Sequence, residues 1–303
     1  MGINENSGMA VENRAQALIE ALPYIQKYSG KTVVIKYGGN AMVSKELQES
    51  VISDIVMLTL VGIRVVVVHG GGPDINRMLK LVGKDSKFVN GLRYTDKETM
   101  DIVQMVLCGK VNKNIVNMIN RTGGRAVGLC GIDDNFILAK KLDKGDGFDY
   151  GLVGDIVEVN PDVLKNTLDA GIIPVVSTVA LGTDGNECYN VNADTVASKL
   201  AVALKAEKLI LMTDIKGVME NPEDEKTLIS QIKTGRQLEE IKNSGIIKGG
   251  MIPKVQCCED AVNGGVARTH ILDGRIPNAI LIEILSHKGI GTMIWKGESS
   301  DEL

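Results

Sequence analysis

Large aromatic side chains are scarce: one Trp, six Tyr and three Phe make up 3% of 303 residues. The core that such a length permits must therefore be built from Val, Ile, Leu, Met and Ala. Cysteine is sparse as well. Its five positions (Cys108, Cys130, Cys188, Cys257 and Cys258) include no CxxC and no Cys/His spacing of a zinc site, which leaves reduced core or surface thiols. No block of consecutive basic residues occurs and the formal net charge is −4, so nucleic acid is not an expected partner. No apolar run approaches the roughly 20 residues that span a bilayer, and no signal peptide precedes the first structured segment. A soluble, cytoplasmic protein without a membrane partner is the expectation. No glycine cluster matches GxGxxG or the Walker A pattern, which weakens a dinucleotide or P-loop reading.

What the chain has in quantity is glycine, 34 residues, much of it where predicted strands end. The stretch Lys31-Thr-Val-Val-Ile-Lys-Tyr-Gly-Gly-Asn40 sets the pattern. Val33, Val34 and Ile35 form a continuous apolar run bounded by turn residues, which reads as a strand covered on both faces. Lys36 stands at its end. Gly38 and Gly39 are expected to turn the backbone with positive φ and to let main-chain N–H groups approach an anion. Ser44 then caps a helix with Leu47, Val51, Ile55 and Leu58 on one side. Together these make a phosphate site, although taken alone they also fit an ordinary βα turn with a surface lysine. Arg64-Val-Val-Val-Val-His-Gly-Gly-Gly-Pro73 repeats the architecture, with Pro73 suited to a first helical turn. Side by side, two such parallel strands bring Lys36, Gly38, Gly39, Gly70, Gly71 and Gly72 to one carboxyl edge, where open α/β sheets bind ligands.

After a polar 1–10 segment expected to fray, Val11, Ala15, Leu18, Ile19, Leu22 and Ile25 follow helical spacing, and their stripe is expected to pack either on its own domain or on another subunit. Thr95 with Glu98 reads as the capping box of a long helix carrying Met100, Val103, Leu107, Val111, Ile115 and Met118. Arg93, just before it, is either a planar fork for a carboxylate or a solvated loop residue. A strand over 125–129, a β-ribbon over 137–142 and 153–159, a helix over 161–170 and a strand over 172–177 follow. Residues 184–194 read as a turn leading into a helix that runs to about Ala206. Asn192 is its N-cap and Asp194 lies in its first turn, so both are accounted for by helix initiation alone. Strands over 209–213, 267–272 and 292–295, a second capping box at Thr234 and Gln237, and a helix over 278–285 complete the pattern. Lys248-Gly-Gly-Met-Ile-Pro-Lys254 sets two glycines before a helix with a lysine on its first turn, a second anion site.

Five phrases, taken in order, resemble the amino-acid kinase family: Ala-Leu-Pro-Tyr-Ile-Gln (21–26), Val-Ile-Lys-Tyr-Gly-Gly-Asn-Ala-Met (34–42), His-Gly-Gly-Gly-Pro (69–73), Tyr-Asn-Val-Asn-Ala-Asp (189–194) and Gly-Gly-Met-Ile-Pro-Lys (249–254). Within that family the likeness, over about 21–294, is to the branch that phosphorylates N-acetyl-L-glutamate in arginine biosynthesis. It implies a three-layer α/β/α sandwich around a mostly parallel open sheet, with an N-terminal arm (1–30), a lobe for the acyl amino acid (31–187) and a lobe for ATP (188–303). By the same resemblance Lys36 and Lys254 bear on the transferring phosphoryl group and Asp194 holds them in place. Gly38, Gly39 and Gly71 offer N–H groups to phosphoryl oxygens. Gly71, Gly72, Arg93 and Asn190 match the acyl-amino-acid site, and Thr213, Asp214, Gly217 and Gly249 match the nucleotide site. Mg2+ is implied through ATP phosphates and water, with no protein metal ligand. Such residues suit the chemistry, because phosphorylating a carboxylate brings two anions together and a carboxylate nucleophile needs no base at neutral pH. Three positions depart from the pattern: Asp74 in place of a frequent glutamine, Tyr94 in place of valine, and Cys130-Gly-Ile-Asp-Asp134 in place of Ser-Gly-Lys-Asp-Gly.

The helix at the start and the segment 279–292 resemble those of arginine-inhibited members, in which the extra helix interlaces dimers into a ring-like hexamer, a trimer of dimers. That likeness implies an L-arginine site lined by Tyr24, Lys208, His270 and Glu283, with Glu283 meeting the guanidinium and Gly289 and Gly291 leaving room for the ligand's backbone end. A nitrogen-regulatory signalling protein as a further partner is left open. Competing readings are a kinase of the same fold acting on glutamate, aspartate or carbamate, a nicotinamide oxidoreductase, which lacks its fingerprint, and a non-catalytic amino-acid sensor, which the retention of Lys36, Asp194 and Lys254 disfavours.

Overall fold

The β-branched runs pair into one eight-stranded sheet. Its strands are β1 (Thr32–Tyr37), β2 (Arg64–His69), β3 (Ala126–Cys130), β4 (Ile173–Ser177), β5 (Lys208–Thr213), β6 (Gln231–Lys233), β7 (Arg268–Asp273) and β8 (Thr292–Trp295). They lie in the order β6-β8-β7-β5-β1-β2-β4-β3. Every neighbouring pair is parallel except β7 with β8. The computed structural model describes residues 11–297 apart from Val43, Pro222 and Lys288, so the 1–10 segment expected to fray and the Val11 side chain lie outside the described residues.

Helices cover both faces. They are α1 (Val11–Tyr28), α2 (Lys45–Leu60), α3 (Gly72–Leu81), α4 (Lys97–Gln104), α5 (Asn112–Arg121), α6 (Asp162–Asp169), α7 (Ala193–Ala203), α8 (Arg236–Asn243), α9 (Met251–Asn263) and α10 (Ala279–Leu285). Successive strand residues point to opposite faces, so β1 divides its side chains between two cores. Val33, Ile35 and Tyr37 pack with Ile55, Val103, Ile115 and Ile284, from α2, α4, α5 and α10. Val34 packs with Leu164, Leu200 and Val255, from α6, α7 and α9. The result is the expected α/β/α sandwich. The order reverses at β1, with β2 from the first half of the chain on one side and β5 from the second half on the other, a topological switch point at whose carboxyl edge ligands bind. Among the described residues no helix is long and apolar enough to cross a membrane.

Several local expectations are corrected. The second of the four strands in the side sheet, Val179–Gly182, pairs antiparallel with Cys188–Asn190, so 184–194 is half turn and half hairpin rather than turn alone. Asp96, not Thr95, caps α4: its carboxylate accepts from Thr99 N at 2.8 Å, while Thr95 is buried and its hydroxyl donates to Arg93 O at 2.9 Å. Glu98, expected to close the box, instead accepts from Lys84 at 2.8 Å. The second box fails likewise. Gly235 is the N-cap of α8, and Gln237 accepts from Lys233 N at 2.7 Å. The long helix is broken in register by a π-helical stretch, Met105–Val111, between α4 and α5. Finally, α1 leaves Leu18, Ile19 and Leu22 63%, 64% and 45% exposed, so most of its stripe is not packed on its own subunit.

The start of α10 is capped by side chains of α2. Ser50 Oγ accepts from Asn278 N at 2.7 Å, and Asp54 Oδ2 accepts from Ile280 N and Leu281 N at 3.2 and 3.4 Å. Asp54 is fully buried and its Oδ1 has no partner among the described residues, so burial pushes its carboxyl up to about 7 against those N–H groups. A carboxyl whose folded pKa is raised binds its proton more tightly in the folded state. Its contribution to stability is full below the unfolded pKa and is lost as pH rises through about 7. Asp54→Asn keeps an acceptor for α10 but cannot ionise. Its stability advantage over the parent should widen by about 2–3 kcal/mol between pH 5 and pH 8. Urea unfolding at both pH values checks this, and a constant difference would mean that Asp54 does not take up its proton in this range.

Candidate active site

Strand β1 delivers Lys36 to the switch point, and the turn after it is shaped around two side chains. Tyr37 Oη donates to Ala41 O at 2.8 Å and pins the turn. Only Gly39 takes positive φ, +70°, and a Cβ there would collide with the Asp214 carboxylate. Gly38 does not share that backbone geometry. Its lack of a side chain serves Lys36 instead, since a Cβ would lie 2.7 Å from the Lys36 ammonium.

Asn192 and Asp194 divide the two roles that their position leaves open. Asn192 is the cap, its Oδ1 accepting from Asp194 N at 2.8 Å and Thr195 N at 3.3 Å. Asp194 is buried and sits between two lysines, one from β1 and one from α9. Lys254 Nζ, on the first turns of α9, donates to Asp194 Oδ2 at 2.6 Å. Lys36 Nζ stands 3.3 Å from Asp194 Oδ1 as an ion pair and donates to Met212 O at 3.4 Å. Burial raises the Asp194 carboxyl, but Lys36 and Lys254 outweigh it and hold the group below its ordinary value. For Lys36, burial and the nearby Lys254 pull the ammonium down while Asp194 raises it. Two cations on one anion leave the cluster with a net positive charge in a desolvated place, which is what an incoming phosphoryl anion requires.

Beside this cluster a cleft of about 190 Å³ is lined by Gly70, Gly71, Gly72, Arg93, Asn190 and Asn192, among others. Arg93 reaches it from a short hairpin, Phe88–Val89 with Leu92–Arg93. It is no solvated loop arginine. Its NH1 donates to Ser86 Oγ at 2.8 Å, its NH2 to Asn76 Oδ1 at 2.6 Å and Gly72 O at 3.3 Å, and its guanidinium lies 4.9 Å from the Phe88 ring centre. These bonds leave Nε–H and one NH1 hydrogen for a ligand. Asn190 Nδ2 donates to the buried Thr95 hydroxyl at 3.2 Å, which explains why Thr95 is unavailable as a helix cap. Of the departures, Asp74 pairs with Arg77 and Lys110 at 2.7 and 3.0 Å and Asp133 accepts from Cys130 N at 2.7 Å, and neither lines the cleft.

On the other side of β1, Thr213 is buried at the end of β5, Asp214 faces the Gly39 turn, and Gly249, with φ +52°, precedes α9 with nothing within 4 Å of where its Cβ would stand. Gly217 lies against Thr292, so its freedom from a side chain serves packing on β8. Among the described residues no group of three or more His, Cys, Asp or Glu is arranged to hold a metal ion.

A separate cavity of about 390 Å³ collects Tyr24, Lys208, His270, Glu283, Gly289 and Gly291, all six residues named for an inhibitor site. Glu283 is buried. Its Oε1 accepts from His270 Nδ1 at 2.7 Å and its Oε2 from Ile290 N at 2.7 Å, while Lys208 Nζ donates to His270 Nε2 at 3.2 Å. Burial, reinforced by Lys208, pushes His270 down to about 4, so the ring is neutral. The glycines differ from expectation: the space at Gly289 is taken by the Glu283 carboxylate and that at Gly291 by Ile271 O, not by open room for a ligand. Tyr28, Arg268 and Trp295 also line the cavity and were not legible in advance, because no local motif marks them. Asn76 and Ser86, which hold Arg93, were missed for the same reason.

The model of the amino acid kinase family matches residues 31–273. The chain is 55% identical over 282 residues to the acetylglutamate kinase of Clostridium beijerinckii, covering 93% of this chain and 98% of that protein. It is 54% identical over 281 residues to the acetylglutamate kinase of Desulforamulus reducens, covering 93% and 97%. Among solved structures, N-acetylglutamate synthase from Neisseria gonorrhoeae complexed with coenzyme A and N-acetyl-glutamate superposes with a TM-score of 0.81 at 26% identity. That match covers 94% of this chain and 64% of the longer synthase chain. The same synthase complexed with coenzyme A and L-arginine gives 0.77 at 25% identity, over 93% and 65%. The chain belongs to the amino-acid kinase family, and the relatives that run almost its full length put it among that family's acetylglutamate kinases.

Proposed function

We propose that the protein transfers the γ-phosphoryl group of ATP to the 5-carboxylate of N-acetyl-L-glutamate, giving N-acetyl-L-glutamyl 5-phosphate. The observation that carries the reading is Asp194 shared between Lys36 and Lys254 beside the Arg93–Asn190 cleft. The acyl amino acid lies in the cleft, held by Arg93 of the 31–187 lobe and by Asn190 just beyond that lobe's end, and ATP lies against Thr213, Asp214, Gly217 and Gly249 of the 188–303 lobe. Lys36 and Lys254 neutralise the phosphoryl group in flight, while Gly38, Gly39 and Gly71 supply N–H groups to its oxygens. Asp194 is held by both lysines and needs to accept no proton. Magnesium accompanies the nucleotide phosphates and spreads their charge; Asp194 Oδ2 accepts from Lys254 and its Oδ1, without a hydrogen-bond partner among the described residues, is ion-paired with Lys36, and no protein ligand is assigned.

An assay of ADP release with N-acetyl-L-glutamate, glutamate, aspartate and carbamate side by side tests this reading, and a preference for any of the last three would replace it. Arg93→Ala should raise KM for N-acetyl-L-glutamate by at least about tenfold, because it removes a charge-assisted contact worth roughly 1.5–3 kcal/mol, with KM for ATP little changed. A selective loss of ATP affinity would show that the two substrates have been assigned to the wrong lobes.

We also propose that L-arginine inhibits from the 390 Å³ cavity and that α1 joins dimers into a hexamer in the cytoplasm. Support comes from the six residues collected in that cavity, from the exposed Leu18, Ile19 and Leu22, and from the arginine complex of the synthase.

A further inference from the structure

His69 opens the phrase His-Gly-Gly-Gly-Pro, yet neither the phosphoryl transfer nor the substrate contacts use it. It is fully buried at the end of β2. Its Nδ1 is 2.9 Å from Gly70 O and its Nε2 is 3.1 Å from Asn112 Nδ2. The protonation of this ring follows from its neighbours. Asn112 Nδ2 also lies 2.8 Å from Val175 O, which can only accept, so the amide nitrogen and not the oxygen must face both partners. Its Oδ1 accepts in turn from Lys113 Nζ at 3.2 Å. With Asn112 donating, Nε2 must accept, and the ring proton resides on Nδ1 and is donated to Gly70 O.

We infer that His69, oriented by Asn112, is a positioning residue that holds the Gly70 carbonyl so that the next N–H, that of Gly71, faces the cleft. A trans peptide sends its C=O and the following N–H to opposite sides, and no peptide in the described chain is cis. Gly71 N–H forms no hydrogen bond among the described residues. Gly71 lines the cleft, where a Cβ on it would stand 2.7 Å from Leu107 and 3.2 Å from Val111, in the π-helical stretch that ends one residue before Asn112. Glycine at 128 is needed too, since a Cβ there would overlap the Asn112 amide. Burial, with Lys113 nearby, pushes His69 down to about 4 against the Gly70 carbonyl, so the ring is neutral near pH 7. The inference rests on the proposed kinase reading in one respect, that Gly71 N–H serves the substrates.

Two measurements test it. Histidine-selective ¹⁵N labelling with solid-state NMR reads the ring in the parent protein, which has only three histidines, and a variant serves solely to assign its signal. The signal that disappears in His69→Asn should be a neutral Nδ1–H ring, unchanged from pH 5.5 to 8.5; an Nε2–H ring or an imidazolium overturns the inference. In kinetics, His69→Asn retains an amide donor near the Nδ1 position and should keep kcat within about threefold. His69→Leu and His69→Gln, which lack a donor there, should lose about 30-fold in kcat with KM for ATP within about twofold, a fraction of what removing an oxyanion donor outright does. Equal losses in all three variants, or no loss in the glutamine variant, also overturn it. A parent protein that does not phosphorylate N-acetyl-L-glutamate refutes the kinase reading instead, and the tautomer still decides whether His69 holds the Gly70 peptide.

Discussion

Lys36→Met and Lys254→Met should each lower turnover by about 10²- to 10³-fold with the fold intact, the order expected when a charge aimed at a developing anion is removed from a desolvated site. Methionine keeps an unbranched apolar stem of similar length, so the packing of β1 and α9 is retained. Either substitution cancels the cluster's net positive charge but leaves Asp194 one lysine. The two are not equivalent. Lys254 is hydrogen-bonded to Asp194 at 2.6 Å, whereas Lys36 only pairs with it at 3.3 Å, so Lys36 is the freer ammonium and its loss should fall more heavily on kcat. The double variant should be less than multiplicative in kcat, since both lysines serve one group, but clearly less stable, because Asp194 is then a buried charge without a partner and such breakage costs about 3–5 kcal/mol. Steady-state ADP release together with thermal melts checks both statements. Near-parental turnover in either folded single variant would remove the mechanism.

Glu283→Gln should abolish inhibition by L-arginine, shifting the half-inhibitory concentration at least tenfold, while assembly and basal turnover are unchanged. The carboxylate is already occupied by His270 and the Ile290 and Gly291 N–H groups. A guanidinium must therefore use its remaining lone pairs or displace the His270 ring, and either requires the full charge. Glutamine keeps an acceptor for the Ile290 N–H, which alanine would orphan. On the proposed assembly, removing residues 1–25 should convert hexamers to dimers that remain active but respond weakly to arginine, because an inhibitor acts only through a difference in affinity between two states and the proposed ring would supply one of them. Light scattering with assays at graded arginine decides this. A full-length protein that is dimeric and insensitive to arginine would falsify the regulatory reading and leave the kinase reading standing.

Runs such as Val33–Val34–Ile35 and Val65 to Val68 were legible as buried strands because three or four β-branched residues in series suit a sheet covered on both faces. Asn192 was legible as a cap because its side chain suits a helix N-terminus, and the family was legible as a resemblance carried by five phrases in order. Local chemistry did not decide the contests between neighbours. Thr95 is a good cap in isolation, but its hydroxyl is drawn to Arg93 O and Asn190, and Asp96 takes the end of α4. Gly38 and Gly39 look alike in sequence, yet one makes room for an ammonium and the other turns the chain. Nothing local marks the π-helical stretch, which brings Leu107, Val111 and Asn112 against the second glycine turn. Periodicity by itself thus determined the buried strands and placed the glycine turns at their ends, because these follow from propensity and burial pattern along the chain, whereas the three-layer arrangement came from the family resemblance. Only the tertiary structure decided which charges meet. Lys36, Asp194 and Lys254 are separated by 158 and 60 positions, and their energies depend on a distance and a desolvation that no sequence neighbour controls.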